Sequence, residues 1–260
     1  MIQYIASDVD GTLLHGQATT LNPELFDIIR QLKEHGIHFI AASGRQYQNL
    51  RRLFAPVKDD ISYVAENGSM CVHNGKVISL GHIDTDLIYE IADAAREYGH
   101  CHTLISTAKT GYTDSQDSDY INHIHNDVGY DMIPVHDVRD IKEPFIKIAV
   151  CDFDGTEKRL RSYFQERFGD RIQIVTSGNI WIDFIAPNAN KGSALSNIVS
   201  FLGMNPKNGI TFGDQYNDLE MLQLSNTSYA MTTAAAGVSD YATNTTNSVE
   251  ETLKEFLKTL

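Results

Sequence analysis

Short apolar runs alternate with one-faced helical patterns at both ends of this chain, and that rhythm leaves few folds open. Residues 4–6 form a first apolar run. Asn22-Pro23 then starts a helix. The Asn side chain can accept from an otherwise orphaned backbone N–H, and proline loses nothing at a position whose N–H has no helical partner. Leu25, Ile28, Ile29 and Leu32 fall on one face, Gly36 fits the stop, and residues 37–42 make the next strand. Strand, helix and strand with short links predict a parallel sheet covered by helices. The rhythm returns late. A helix carries Ala194, Leu195, Ile198, Val199 and Leu202, strands follow at 210–212 and 228–231, and a last amphipathic helix uses Val249, Leu253, Phe256 and Leu257.

Between these halves the texture changes. A helix at 87–98, a strand-like run at 145–150, a helix at 158–168 and a strand at 180–185 flank a polar loop region. The expected fold is α/β: a Rossmann-like, doubly wound parallel sheet formed by residues 1–81 and 188–260, with an α/β cap domain inserted at 82–187. A chain of 260 residues that is 42% apolar can bury the cores this needs.

Charge narrows the partners. A formal net charge of −13 argues against nucleic acid, which is bound by surplus Lys and Arg, but leaves room for a small phosphorylated metabolite at a local cationic site. The three cysteines, Cys71, Cys101 and Cys151, show no CxxC spacing, so neither a disulfide framework nor a zinc knuckle is indicated. The first residues lack the basic flank and apolar run of a signal peptide, and no segment approaches the roughly 20 apolar residues of a membrane helix. The expectation is a soluble, cytoplasmic protein with no membrane partner; the composition leaves its oligomeric state open.

The chemistry follows the strands. Asp8-Val9-Asp10-Gly11-Thr12 comes after the first, Ser43-Gly44-Arg45 after the second, and Gly213-Asp214-Gln215-Tyr216-Asn217-Asp218 after the strand at 210–212. Open parallel sheets bind ligands beyond the carboxyl ends of their strands, so these segments should meet at one edge, joined by Lys191 at a helix start. Four carboxylates in one crevice raise one another's pKa values. A hard divalent cation resolves that conflict, and all-oxygen ligation suits Mg²⁺. One carboxylate is then free to attack phosphorus while another handles protons, and Lys191, Ser43 and the Gly44 N–H can hold phosphoryl oxygens.

Taken together, the Asp8–Leu14 segment, the Ala42-Ser43-Gly44-Arg45 segment, Asn190-Lys191-Gly192 and Gly213–Asp218 resemble the four motifs of the haloacid dehalogenase-like phosphatases. More narrowly the chain is similar to the Cof-type sugar phosphatases, over nearly its whole length. The resemblance implies Asp8 as nucleophile and Asp10 as general acid/base. It implies Ser43 and Lys191 as phosphate ligands with help from Asn217, and Mg²⁺ held by Asp8, the Asp10 carbonyl and Asp214. Asp218 is then expected to orient the lysine or the metal shell. Gln215 stands where a small residue is usual and is expected to point aside. Residues 244–249 lack the acidic-Gly step of relatives, a change expected to touch only a loop.

A single Asp-x-Asp-Gly-Thr is also what an ordinary turn looks like, and only the ordered set of four motifs outweighs that. Asn67 before Gly68 reads first as a hairpin turn. A second copy of the nucleophile motif, Asp152 to Thr156, lacks companions and reads as a turn at Asp154-Gly155 with Thr156 capping the following helix. If His100/His102 and His123/His125 lie on strands, either pair shares a face and could chelate, but no third ligand stands at suitable spacing. His123 or His125 could instead serve near the leaving group. Trp181 reads as core, and the acidic residues from Asp114 to Asp119 as a solvated loop. Two rival functions share the motifs: a phosphomutase using the same Asp8 intermediate, and a non-catalytic phosphate-ligand sensor.

Overall fold

The computed structural model describes residues 1–16, 18–153, 157–177 and 180–260, and they divide into two compact units. The chain enters the first unit through β1 (Tyr4–Asp8), α1 (Pro23–Glu34), β2 (His38–Ala42), α2 (Tyr47–Leu53), β3 (Ser62–Ala65), β4 (Met70–His73) and β5 (Lys76–Leu80). It builds the second unit, Leu80–Ala189, from α3 (Thr85–Tyr98), β6 (His102–Thr107), β7 (Gly111–Thr113), α4 (Ser118–Asn122), β8 (Met132–Pro134), β9 (Phe145–Cys151), α5 (Glu157–Phe168), β10 (Gln173–Ser177) and β11 (Trp181–Ile185). It then completes the first unit with α6 (Lys191–Phe201), β12 (Gly209–Gly213), α7 (Leu219–Leu224), β13 (Thr227–Met231), β14 (Asn244–Thr246) and α8 (Val249–Leu257).

The first unit is a doubly wound α/β sheet in the order β14-β13-β12-β1-β2-β3-β4-β5. Every pairing from β14 to β3 is parallel, and β4 turns back antiparallel on β3. The local causes are those of the sequence. Asn22 accepts from Glu24 N–H at 3.1 Å, Pro23 opens α1, and the stripe Leu25, Ile28, Ile29 and Leu32 is buried. At the start of α6 the Asn190 side chain accepts from Ser193 N–H at 2.7 Å, a cap worth about 1 kcal/mol. Ala194, Leu195, Ile198 and Val199 of that helix pack on Tyr4, Ala6, Ile40, Ala42 and Val64. Full burial of each larger aliphatic side chain there contributes about 1.5–3 kcal/mol.

The second unit has its own sheet, β10-β11-β9-β6-β7-β8, and its own core, in which α3 and α5 bury Ile88, Ile91, Leu160 and Phe164 against Ile148, Val150, Ile182 and Phe184. The segment expected to be a polar loop region is more ordered than that. It holds β6, β7, β8 and a helix, α4, that continues as a π-helical turn over His123–Asp127. His123 and His125 therefore sit on helical backbone, where residues two apart do not share a face. Among the described residues neither histidine pair belongs to a metal-binding group. His102 lies on β6 and stacks on Tyr120, with ring centroids 4.4 Å apart.

Nor is the acidic stretch simply solvated. Asp114 accepts from Arg96 Nη2 at 2.7 Å and from Thr103 Oγ1 at 2.5 Å, and Asp117 caps α4. In the second nucleophile-like motif, Asp152 is buried just past β9, with Arg159 Nη2 3.5 Å from its Oδ2; Asp154, Gly155 and Thr156 lie outside the described residues. Residues 244–246, expected in a loop, form the edge strand β14. No helix among the described residues is long and apolar enough to cross a membrane.

At the amino-terminal edge of the first unit's sheet, two histidines share one hydroxyl. The Asn74 amide donates to His73 Nε2 at 2.9 Å, which leaves the His73 proton on Nδ1 to donate to Ser62 Oγ at 2.7 Å. The Ser62 hydroxyl then donates to His38 Nε2 at 2.7 Å. This chain keeps both rings neutral. Burial, with His73 and Lys33 nearby, pushes His38 down to about 4. The unfolded chain binds the proton more readily, so the contribution is complete above the ordinary value of 6.5 and is lost as pH falls toward 4. Wild type is therefore expected to lose on the order of 2 kcal/mol more than His38→Gln between pH 7 and pH 4.5, measured by urea unfolding. Equal pH dependence in the two proteins would show that His38 titrates normally.

Candidate active site

Three adjacent strands of the first unit, β12, β1 and β2, run parallel and end at one edge. Asp8 is the last residue of β1, Ser43 and Gly44 follow β2, and Asp214, Asn217 and Asp218 follow β12. Lys191 opens α6. The fold thus gathers all four sequence segments into the first unit.

Lys191 is the centre of the buried charge. It is 1% exposed, and its Nζ donates to Asp8 Oδ1 at 2.5 Å and to Asp218 Oδ1 at 2.6 Å. Burial works to lower this ammonium, but Asp218 and Asp8 outweigh it and hold it above its usual range. Asp218 Oδ2 accepts from the backbone N–H groups of Asp214 at 2.9 Å and Gln215 at 3.0 Å. Both Asp218 oxygens are therefore occupied, and this residue fixes the lysine and the loop.

Asp8 and Asp214 retain capacity. Burial pushes Asp8 well up; Lys191 pulls it back, while Asp218, Asp214 and Asp10 push it further. Its Oδ2 is buried without a hydrogen-bond donor. Burial and Asp218 likewise push Asp214 up, opposed by the hydrogen bond from Thr12 Oγ1 at 3.1 Å. Oxygen atoms of Asp8, Asp214 and Asp218 lie within 4.8 Å of one another. Facing acceptors with one buried lone pair unused need a cation or a proton between them. Hard oxygen donors at this spacing fit Mg²⁺.

Asp10 points elsewhere. Its half-exposed carboxylate takes a fork from Arg45, with Nη2 to Oδ1 at 2.6 Å and Nε to Oδ2 at 2.8 Å. Ser43 Oγ lies 3.5 Å from Asp10 Oδ2 and accepts from Arg45 N–H at 3.1 Å. Gly44 packs closely on Asn67: a Cβ there would lie 3.0 Å from Asn67 Oδ1, and the amide would have to give by a few tenths of an ångström. Asn217 Nδ2 donates to that same Asn67 oxygen at 3.0 Å, and Asn217 Oδ1 is buried without a partner.

Several participants were not singled out by sequence. Arg45 stood inside a quoted motif without a task, and Thr12 likewise. Asn67 is the expected hairpin turn between β3 and β4, with φ 55°, and it is also buried against the site. Gln215, expected to point aside, donates its Nε2 to Asp214 Oδ2 at 3.3 Å. A long side chain at that position reaches the neighbouring carboxylate because the loop turns back on Asp218.

The family model of the haloacid dehalogenase-like hydrolases matches residues 5–252. The chain is 28% identical over 237 residues to the 5-amino-6-(5-phospho-D-ribitylamino)uracil phosphatase YbjI of Escherichia coli, covering 91% of this chain and 88% of that protein. It is 26% identical over 262 residues to the Bacillus subtilis phosphatase YitU, which bears the same substrate in its name, covering 98% and 96%. A crystal structure of a protein from Eubacterium rectale superposes with a TM-score of 0.87 at 28% identity, over 98% of this chain and 99% of that one. With the match spanning almost the whole chain, this protein belongs to the haloacid dehalogenase-like hydrolases and is a phosphoric monoester hydrolase of the Cof type.

Proposed function

We propose that the protein is a Mg²⁺-dependent phosphatase that hydrolyses small phosphomonoesters through an aspartyl-phosphate on Asp8. The observation that carries this is the Asp8 carboxylate itself. It is 4% exposed, held by Lys191 through one oxygen, and presents the other beside Asp214 without a donor. A structural carboxylate would have both oxygens satisfied, as Asp218 does.

In the first step an Asp8 oxygen bonds to phosphorus and the bond from phosphorus to the ester oxygen breaks. Asp10 gives its proton to the departing alkoxide. In the second, Asp10 takes a proton from water as the water oxygen bonds to phosphorus; the bond to Asp8 breaks, releasing phosphate. Lys191, Ser43, the Gly44 N–H and Asn217 would hold the phosphoryl oxygens. Asp8, the Asp10 carbonyl and Asp214 would hold Mg²⁺, which supplies charge stabilisation for those oxygens.

The favoured substrates are sugar or polyol phosphates. This is supported by the phosphorylated ribityl chain named in the E. coli and B. subtilis relatives. Selection of the leaving group is assigned to the domain at 82–187, acting as a cap. Two measurements test the reading. Release of phosphate from p-nitrophenyl phosphate should stop in excess EDTA and return with Mg²⁺, and full activity after EDTA treatment would refute the metal requirement. Asp10→Asn should keep its backbone carbonyl yet lose about 10²–10⁴-fold in kcat, the usual weight of a general acid/base.

A further inference from the structure

Asp214 is gripped on both of its oxygens. Thr12 Oγ1 donates to Oδ1 at 3.1 Å, and Gln215 Nε2 donates to Oδ2 at 3.3 Å. A third side is closed by backbone: Gly11 has φ 90°, and a Cβ there would stand 2.2 Å from Asp214 Oδ2. The carboxylate plane is therefore set from residues 11, 12 and 215 at once. A small residue at 215 would leave Oδ2 without its donor. The reversed amide would put Gln215 Oε1 against the carboxylate, acceptor facing acceptor, so the donor assignment is the stable one.

A carboxylate pinned in this way keeps one lone pair on each oxygen, in directions that Thr12 and Gln215 fix. Turning to chelate a cation with both oxygens would stretch or break the bond to Thr12 or to Gln215. That distinction separates two cations. Mg²⁺ takes one oxygen from each of a few carboxylates at short range and keeps its waters, whereas Ca²⁺ takes six to eight oxygens at longer range and readily uses both from one carboxylate. Groups that hydrogen-bond to metal ligands commonly change metal affinity about 10–100-fold when removed.

We propose that Gln215, with Thr12 as its counterpart, is a positioning residue that restricts Asp214 to one-oxygen ligation and so favours Mg²⁺ over Ca²⁺. This rests on the metal reading made above. The bond from the Gln215 backbone N–H to Asp218 Oδ2 survives substitution of the side chain, so the loop keeps that anchor.

The test is direct binding to the whole protein without substrate. Titration calorimetry with MgCl₂ and CaCl₂ would compare wild type, Gln215→Met and Thr12→Val, each with a thermal melt in EDTA to establish folding. Gln215→Met keeps the length and loses the donor. Its Mg²⁺ affinity should fall about tenfold or more while Ca²⁺ affinity holds or rises, so the ratio of the two falls at least about tenfold. Thr12→Val should move the ratio the same way and stands alone if the Met variant does not fold. A general loosening would weaken both ions alike, and that result, or an unchanged ratio in both variants, overturns the inference while leaving the phosphatase reading intact. Wild type that binds neither ion overturns this inference and the metal requirement together.

Discussion

Asp8→Asn is expected to remove turnover, by at least about 10⁴-fold, with the protein still folded. The amide has no anionic lone pair with which to form the acyl phosphate, so the loss belongs to kcat. The fold should tolerate it well. Asp8 is one of three clustered carboxylates, and burial already disfavours its charge, so a neutral isostere relieves repulsion while its oxygen still accepts from Lys191. A thermal melt should show a Tm no lower than wild type. Acid quench during turnover of a labelled substrate should trap phosphoenzyme in wild type and none in the variant. An Asn variant retaining a tenth of the activity would mean that phosphorus is attacked by something else.

Lys191→Met carries the largest expected cost to stability. The side chain is fully buried and pairs at 2.5 and 2.6 Å with two carboxylates that are themselves out of water. Removing one partner of a buried ion pair leaves uncompensated charge, at about 3–5 kcal/mol. For a chain of this size that is a fall in Tm of about 10 °C. Activity should be lost as well, through the phosphate contact proposed for Lys191. Adding Asp218→Asn should restore part of the Tm, since one orphaned charge goes, without restoring turnover. A Lys191→Met protein melting within 2 °C of wild type would show that the ion triad is not under the strain its burial implies.

The elements that sequence made legible are those with a strong period. The stripe of α1, its Asn22-Pro23 start and the apolar runs of β1 and β2 each follow from local pattern, and the family match confirms the fold class they imply. The second unit was harder to read. β7 and β8 are three residues each, too short for alternation to show, and α4 is a single turn and a half before it loosens into the π turn that carries His123 and His125. A histidine pair spaced by two looks like a strand face until the backbone is known.

The site divides along similar lines. Asp8, Ser43, Lys191 and Asp214 sit where strand ends and a helix start put them; Lys191 bonds Asp8, Asp214 lies within 4.8 Å of Asp8, and Ser43 stands beside Asp10 instead. What was not legible depends on the reach of side chains. Whether Arg45 turns toward Asp10, or Gln215 toward Asp214, is decided by a rotamer and by a loop that curls back, and neither leaves a periodic trace. The same holds for Asp114, whose acidic surroundings suggested solvent while Arg96 and Thr103 claim its oxygens.

The central place of β1 has a consequence for how the molecule is made. Its register joins Tyr4–Asp8 to β2 on one side and to β12, more than 200 residues later, on the other. At ribosomal rates of about 5–20 residues per second, the strand made first waits tens of seconds for its second neighbour. Over that interval its outer row of N–H and C=O groups is an open template for other nascent chains, and Asp8 has not yet met its lysine. The protein therefore emerges as a half-built sheet with Asp8 at the bare edge. Demand for chaperone cover should peak late in translation, and it should end when residues 209–213 dock.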